Sequence, residues 1–443
     1  MKTFKLGGVH PQENKLAKDC PIEIMPLPKQ AVVFASQHLG APATIVAEKG
    51  QKVKVGTLLA KAESFICANT HSPFSGTISK IDLANDINGY KKTAFYIDVE
   101  GDEWCEEIDR SEDLIKDISL SSQQIIERIK DRGIVGLGGA AFPTHIKYML
   151  PEGKKADFLI INAVECEPYL TSDNRLMLEE AHQACIGIQI MKKALDVSVA
   201  KIGIENNKPD AIKNMTDIAA QYDGIEIVPL QTKYPQGAEK QLIYAITKRQ
   251  VPSGKLPIDV GCVVNNIATA VAVYNAVQKN RPLIDNVLTI TGKSLAKQIN
   301  IQVRVGTMLS EVMDYCGGLP DDYGKLISGG PMMGKAISIL EAPSVKTTSS
   351  ILVMSNNESH RKTETNCLRC GKCIDACPMG LEPVQIANLS KHQRWEDAEN
   401  EYAMDCIECG CCLFTCPAGQ PLLDLIRVAK NNIGAIRRQR RAI

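Results

Sequence analysis

Residues 367–378 read CLRCGKCIDACP, and residues 406–417 read CIECGCCLFTCP. Each run is C-x2-C-x2-C-x3-C followed by Pro, the spacing at which three thiolates wrap three corners of a [4Fe–4S] cubane while the fourth reaches a second cluster. The reciprocal pattern assigns Cys367, Cys370, Cys373 and Cys416 to one cluster, and Cys406, Cys409, Cys412 and Cys377 to the other. Structural zinc takes four soft ligands from two CxxC pairs, an economy that eight thiols in this arrangement do not fit. Cys411 adjoins Cys412 and reads as a bystander.

The rest of the cysteine pattern agrees. Nine of the 16 cysteines lie between Cys367 and Cys416, and the other seven are scattered. A secreted disulfide framework spreads its cysteines through a short chain behind a signal peptide. The start, MKTFKLGGVHPQENK, has no apolar core of that kind, so a reducing compartment is expected. The chain has 443 residues, 44% apolar and 23% charged, which suggests a soluble protein of two to four domains. Its 51 basic and 51 acidic residues cancel, so net charge gives no reason to expect nucleic acid as a partner. The most apolar stretches, 157–164 and 267–277, are too short to span a bilayer and read as a buried strand and a buried helix.

Working outward from the cysteines gives the domain plan. Residues 355–366, SNNESHRKTETN, read as a linker to a cluster domain at 367–430, and 431–443 read as a basic tail containing RRQRR. Upstream, 282–342 show short β segments with Gly turns around one short helix. Between 120 and 280, strands such as VSVAKIGI and GIEIVPL alternate with helical segments such as SQQIIERIKDRG, a pattern that predicts a largely parallel sheet. Residues 31–100 alternate short β-like runs with turns, and 1–30 are Pro-rich and irregular.

Four blocks carry the chemistry of the middle region. GLGGAAFPTHIK spans 136–147 and NAVECEPYLTSDNR spans 162–175. YPQGAEKQLI begins at Tyr234 and VVNNIATAV at Val263. A Gly-rich loop before a helix presents backbone N–H groups to a phosphate. The spacing is not the GxGxxG of an ordinary dinucleotide fingerprint. Taken in order, the blocks resemble the flavin-bearing NADH-binding subunit of respiratory complex I, which shows a GRGGAGFPTGxKW-like loop, an NADExEPGT-like strand end, a YxCGEE-like turn and a VNNVET-like helix start. Residues 31–100 resemble a lipoyl-type barrel-sandwich hybrid whose hairpin, Glu63–Phe74, has no carrier Lys. The long, helical segment between the Cys runs resembles the α-helical ferredoxin of respiratory enzymes. A barrel-sandwich module in front, two cubanes behind, and the strings FKLGGVHPQENK and LISGGPMMGKA together resemble the RnfC family, over essentially the whole chain.

That resemblance implies an α/β multidomain protein: a barrel-sandwich hybrid, a Rossmann-like FMN/NADH domain at 120–280, an SLBB (ubiquitin-like) domain at 282–342 and an α-helical ferredoxin domain. It implies an enzyme subunit exchanging electrons between NAD(H), FMN and two [4Fe–4S] clusters, linking ferredoxin oxidation to NAD+ reduction or the reverse. Position by position, Gly136, Gly138, Gly139, Ala140 and Lys147 are expected at the FMN, with Asn162, Glu165 and Glu167 at a strand end beside it. Asn265, Asn266 and Thr269 mark the helix start. Glu239 is expected at the nicotinamide as the catalytic residue. Val164 and Ala238 stand where the family has acidic residues. The implied partners are the other Rnf membrane and ferredoxin-docking subunits, at the cytoplasmic face of the cell membrane. Two other readings stand beside this one: a soluble NADH–flavin diaphorase subunit of a hydrogenase- or formate dehydrogenase-type complex, and a non-redox scaffold with ligand-binding SLBB modules.

Overall fold

Apolar runs such as FLII belong to strands buried on both faces, as in a parallel sheet covered by helices. The computed structural model describes residues 1–442. Its central sheet runs, side by side, Ile225–Leu230, Ala200–Glu205, Phe158–Asn162 and Cys262–Asn266, every pair parallel. Leu159, Ile160 and Ile161 are fully buried. The chain winds outward from Phe158–Asn162 through two strands, then returns to the opposite side for Cys262–Asn266. That reversal opens a crevice at the carboxyl ends of those two strands, the place where open α/β sheets bind ligands. Register pairs Ile161 with Asn265 and Asn162 with Asn266, so three asparagines meet at this edge.

The helices follow from their patterns. Ser122–Asp131 begins on a capping box between Ser121 and Gln124 and buries Ile125 and Ile129. Ile267–Gln278 is apolar on nearly every side because ten of its residues are buried. It crosses Ala181–Leu195 at Gly187, where a Cβ would stand 1.9 Å from the Ala270 carbonyl oxygen. No residue but glycine permits that approach.

The next β unit outgrows its predicted 282–342 boundary. Its six strands run Ile22–Ile24, Ile299–Arg304, Asp285–Thr291, Ser350–Ser355, Tyr323–Ser328 and Lys335–Ala336. Ser350–Ser355 lies inside the sheet, with Ile351, Leu352 and Val353 buried. The N-terminal segment supplies a parallel edge strand. The sandwich in front has one sheet of Gln30–Phe34, Lys91–Val99, Gly76–Asn85 and Lys52–Val53, and another of Thr44–Ile45, Leu58–Lys61 and Thr70–His71. Its hairpin is docked: the Asn69 amide donates to the Asp131 carbonyl at 3.0 Å. Lys346 Nζ donates to the Asn69 and Gly133 carbonyls at 2.8 and 2.7 Å, tying three units together. Burial pushes that ammonium down to about 7.

The cluster unit contains helices Pro383–Lys391 and Trp395–Asn400 between its Cys runs and a long helix Leu422–Ala442 after them. The expected tail at 431–443 is therefore not a separate element up to Ala442. Arg437 pairs with Glu399 at 2.5 Å, and Arg440 pairs with Glu396 and Glu399 at 2.6 and 3.3 Å. The alternation of basic residues with Ile433 and Ile436 continues an amphipathic helix across the neighbouring helix. Among the described residues, no helix is long and apolar enough to cross a membrane.

Candidate functional site

The glycine loop is fixed at both ends and open in the middle. Gly136 N–H donates to the Phe142 carbonyl at 2.9 Å, and Leu137 N–H donates to the Thr269 hydroxyl at 3.1 Å. A Cβ at Gly138 would come within 2.9 Å of the Asn266 side chain, whereas one at Gly139 would meet nothing within 4 Å. Gly138 thus lets the loop lie on the helix start, and Gly139 and the exposed Ala140 face free space.

The two helix-start asparagines divide the work. Asn266 caps the helix, its Oδ1 accepting from Ala268 N–H at 2.8 Å, and its amide donates to Asp173 at 2.7 Å. Asn265 is 3% exposed, and its Nδ2 has no hydrogen-bond partner. A buried donor without a partner costs roughly 1–3 kcal/mol, and the neighbouring group that this amide faces is the Tyr148 hydroxyl, itself buried without a good hydrogen bond. On the other strand, Asn162 donates to the Gly237 carbonyl at 2.8 Å, which links the strand end to the Tyr234–Gly237 turn. Lys147 Nζ donates to the Val264 carbonyl at 2.7 Å and stands 4.0 Å from the Glu239 carboxylate. Burial lowers the Lys147 pKa and Glu239 opposes the shift. The residues expected at the flavin phosphate and at the nicotinamide therefore flank one mouth.

Glu165 and Glu167 part company. Glu165, in the left-handed region at φ +48°, accepts from Asp173 N–H at 2.8 Å through Oε1. Its Oε2 is buried without a hydrogen-bond partner, 3.8 Å from Lys15. Glu167 turns away from the crevice, against its sequence expectation. Its carboxylate accepts from Met332 and Met333 N–H at 3.1 and 2.7 Å, with the Tyr234 hydroxyl 3.5 Å away. Both oxygens are thereby taken by the LISGGPMMGKA loop, and burial pushes the carboxyl up to about 7. Lys15 completes the strand end, its ammonium donating to the Glu165, Glu167 and Leu170 carbonyls at 2.7–2.9 Å. It lies in the opening string HPQENK, but no sequence pattern gives a lysine 150 residues upstream that partner.

The eight thiols separate into two groups. Cys367, Cys370, Cys373 and Cys416 line a cavity of about 210 Å3 with Leu368, Ile374 and Pro417. Cys377, Cys406, Cys409 and Cys412 line the other site, with Cys411 in its wall. There the side chains close over about 20 Å3, so the sulfurs themselves define the site. In both groups one Cys comes from the opposite run. Among the described residues, no three Cys, His, Asp or Glu side chains are placed to hold a single metal ion. The second group abuts the crevice: Tyr234 donates its hydroxyl to the Cys409 carbonyl at 2.9 Å, and Cys166, Met332, Val9 and Cys411 pack around it. Gln241 also donates to the Pro378 carbonyl at 3.1 Å. The first group lies outside, with Cys367 and Cys370 exposed.

Known proteins show the same parts in the same order. Residues 2–102 match the RnfC barrel sandwich hybrid domain and 129–275 the Nuo51 FMN-binding domain. Residues 287–336 match the SLBB domain and 359–418 a 4Fe-4S dicluster domain. The corresponding subunit of the Na(+)-translocating ferredoxin:NAD(+) oxidoreductase complex of Acetobacterium woodii is 39% identical over 99% of this chain and 98% of its own length. The chain belongs to the RnfC family. Another RnfC relative, from the proton-translocating ferredoxin:NAD(+) oxidoreductase complex of Clostridium ljungdahlii, is 43% identical over 91% of this chain and 87% of its own. A chain of the NAD+-reducing [NiFe]-hydrogenase in its H2-reduced state shares the fold, with a TM-score of 0.51 at 18% identity, over 72% of this chain and 63% of that one. As an RnfC-family oxidoreductase subunit of a multi-subunit complex, the chain joins an FMN-binding domain to a dicluster domain. That combination sets aside the non-redox scaffold, and the RnfC barrel sandwich hybrid match with the near full-length RnfC relative sets this family ahead of the hydrogenase-type diaphorase.

Proposed function

We propose that this chain is the NAD(H)-handling subunit of an ion-translocating ferredoxin:NAD(+) oxidoreductase, peripheral on the cytoplasmic face of the cell membrane and docked to membrane and ferredoxin-binding subunits. When bound, FMN would exchange the two electrons of one hydride for single electrons, and the cubanes would carry single electrons. The buried Asn265 amide, the open Gly139 and the Glu165 carboxylate beside Lys15 fit a flavin with its ribityl chain and phosphate. The Gly136–Ala140 backbone, Lys147 and Asn162 complete that cradle. Glu239, 46% exposed at the mouth beside Lys147, is the residue assigned to the nicotinamide. The carrying observation is the shared wall: Tyr234 and Cys166 stand between the crevice and the Cys377–Cys406–Cys409–Cys412 site. This gives the chain an inner cluster site and an outer one, with Cys367 and Cys370 open to a neighbouring protein of the complex.

The test is the visible spectrum and cofactor content of the anaerobically purified chain, before and after NADH, with ferricyanide reduction as a rate assay. FMN, about eight irons for two cubanes and bleaching by NADH are expected. An FMN-replete, cluster-loaded chain that NADH leaves unreduced would refute the proposal.

A further inference from the structure

Two neighbouring parallel strands lead into acidic residues. Glu205 closes Ala200–Glu205, and Glu165 follows Phe158–Asn162, so both lie at the carboxyl edge of the sheet. Asp173, in the first turn of the helix Ser172–Glu179, joins them. Its Oδ2 accepts from the Asn266 amide at 2.7 Å, and its N–H donates to Glu165 Oε1 at 2.8 Å. Because Asn266 also lies against Gly138, Asp173 and Glu165 begin this row of charged groups at the glycine loop. Lys15 comes next, its ammonium 3.8 Å from Glu165 Oε2. Lys15 and Glu205 then line a cavity of about 160 Å3 under the N-terminal strap, with His10, Glu13, Cys166 and Lys233 in its wall. Glu205 Oε1 accepts from Lys233 N–H at 3.1 Å, and Lys208 Nζ stands 3.9 Å from Oε2. Glu205 is fully buried, whereas His10 and Glu13 are exposed. A polar cavity of this size has room and partners for several waters. Polar groups thus run from the glycine loop to solvent.

We infer that Asp173, Glu165, Lys15 and Glu205, with this cavity, form the route by which a proton passes between the flavin crevice and solvent. The inference rests on the proposed function, and the balance of that reaction requires such a route. A hydride is one proton and two electrons. NADH that gives up its hydride leaves as NAD+, and the two electrons leave singly towards the cluster thiols, which take up no proton. One proton therefore remains in the crevice for each NADH oxidised, and one must be supplied for each NAD+ reduced. The wall towards the inner cluster site is packed with Val9, Cys166 and Met332 around Tyr234, whereas the charged row ends in a polar cavity. The proton affinities along the row are close to one another. Burial and the Glu165 charge push Asp173 up, burial pushes Glu205 up to about 7, and burial with the Lys208 charge brings Lys15 down to about 8. Facing Glu205 are Lys208 just beyond its strand, Lys15 and Glu13 on the strap, and Lys233 after the neighbouring strand, with His10 and Cys166 in the same cavity. Groups of nearly equal affinity near neutral pH pass a proton in either direction, as a reversible reaction needs.

The test uses the full, FMN- and cluster-loaded chain in weak buffer with a pH-indicator dye. In a single turnover with NADH and ferricyanide, the dye follows the proton and the visible absorbance follows the electrons. In wild type, proton release should quicken about tenfold between about pH 6 and about pH 8, as Glu205 loses its proton and becomes able to accept one. Glu205→Gln keeps the side-chain size and the acceptor for Lys233 N–H but cannot take up a proton. Its proton release should slow about a hundredfold, the lower end of what a placed acid–base group contributes, and lose the pH dependence, while FMN content stays that of wild type. Glu205→Asp should restore both rate and pH dependence in part. Release in Glu205→Gln as fast as in wild type overturns this inference alone. So does slowed release that keeps the wild-type pH profile, which would make Glu205 a structural anchor. If Glu205→Gln does not fold, the wild-type profile decides, and proton release independent of pH overturns the route. A wild-type chain that holds FMN yet is not reduced by NADH overturns the proposed function as well.

Discussion

Asn265→Leu separates a ligand-binding residue from a structural one, because the two roles predict different effects on the apoprotein. Asn265 is buried at 3% exposure and its Nδ2 has no partner. An unpaired buried donor costs roughly 1–3 kcal/mol. Leu keeps the branched outline but is larger, and it removes that donor; relief of the unpaired donor offsets an overpacking cost of about 1–3 kcal/mol, so the flavin-free protein should stay close to wild type in stability. The neighbouring cap is untouched, since Asn266 makes the bond to Ala268 N–H. Flavin binding should suffer instead. A hydrogen bond from this amide to the flavin is worth about 1 kcal/mol if neutral and up to about 3 if its acceptor is charged, or roughly 5- to 150-fold in Kd. Titration of the stripped protein with FMN, followed by flavin fluorescence, reads the second effect, and thermal melting of the same samples reads the first. A variant that binds FMN as tightly as wild type, or whose apoprotein is destabilised by several kcal/mol, refutes the assignment.

Three further outcomes follow from the geometry. Cys416→Ala should destroy the cluster held by Cys367, Cys370 and Cys373 and spare the other; paramagnetic resonance and iron content showing loss confined to the Cys406–Cys412 site would reverse the ligand exchange. Glu239→Gln should raise the KM for NADH about tenfold yet leave FMN retention intact, because its pairing with Lys147 at 4.0 Å is half-exposed and worth at most about 1 kcal/mol; flavin loss with normal NADH handling after refilling would contradict it. Glu167, buried and shifted up to about 7 from 4.5, keeps a proton that the unfolded chain gives up, so its stabilising contribution is full below 4.5 and fades as pH rises through about 7. The melting temperature of Glu167→Gln relative to wild type should therefore rise between about pH 5 and pH 8, and a constant difference would refute the shift.

What was legible in the sequence is what local spacing or periodicity encodes. The reciprocal Cys-Pro runs suggest two thiol groups because that spacing lets three nearby thiolates reach corners of one cubane while the fourth reaches another. The parallel sheet was legible because doubly buried strands leave unbroken apolar runs such as FLII. Side-chain direction was not. VECEP gives Glu165 and Glu167 equal claims on the crevice, since nothing local says that Met332 and Met333, over 160 residues away, will take the second. The VNN string likewise offers two adjacent asparagines, and a helix start shifted by one residue decides which caps and which stays free. The inner and outer order of the clusters depends on Tyr234 reaching the Cys409 carbonyl, a contact with no sequence signature. The basic run at 437–441 looked like a tail because its acidic partners, Glu396 and Glu399, lie on another helix.

The N-terminal strap touches the sheet edge, the cluster unit and the β unit in turn. Domain interfaces are mobile by default unless large and well packed, yet a flavin crevice and a cluster site must keep a fixed separation to exchange electrons. Residues 2–24 supply the constraint in sequence order. Lys2 bridges to Leu230 at the sheet edge, and Thr3 donates to Gln236 at 2.7 Å. Gly8 N–H donates to the Ala376 carbonyl at 3.0 Å, next to Cys377, while Val9 pairs with Tyr234. At Gly7, in the left-handed region at φ +60°, a Cβ would fall 2.4 Å from the Cys377 carbonyl carbon, so only glycine lets the strap touch the cluster domain there. Lys15 then fastens the strand end, Asn300 donates to the Ala17 and Cys20 carbonyls at 2.7 and 3.0 Å, and Ile22–Ile24 joins the six-stranded sheet. Apart from Ile22–Ile24 and the bridges at Lys2 and Val9, residues 2–24 form no regular element. That irregularity is the means by which one peptide fixes the crevice, the inner cluster site and the β unit behind them to one another.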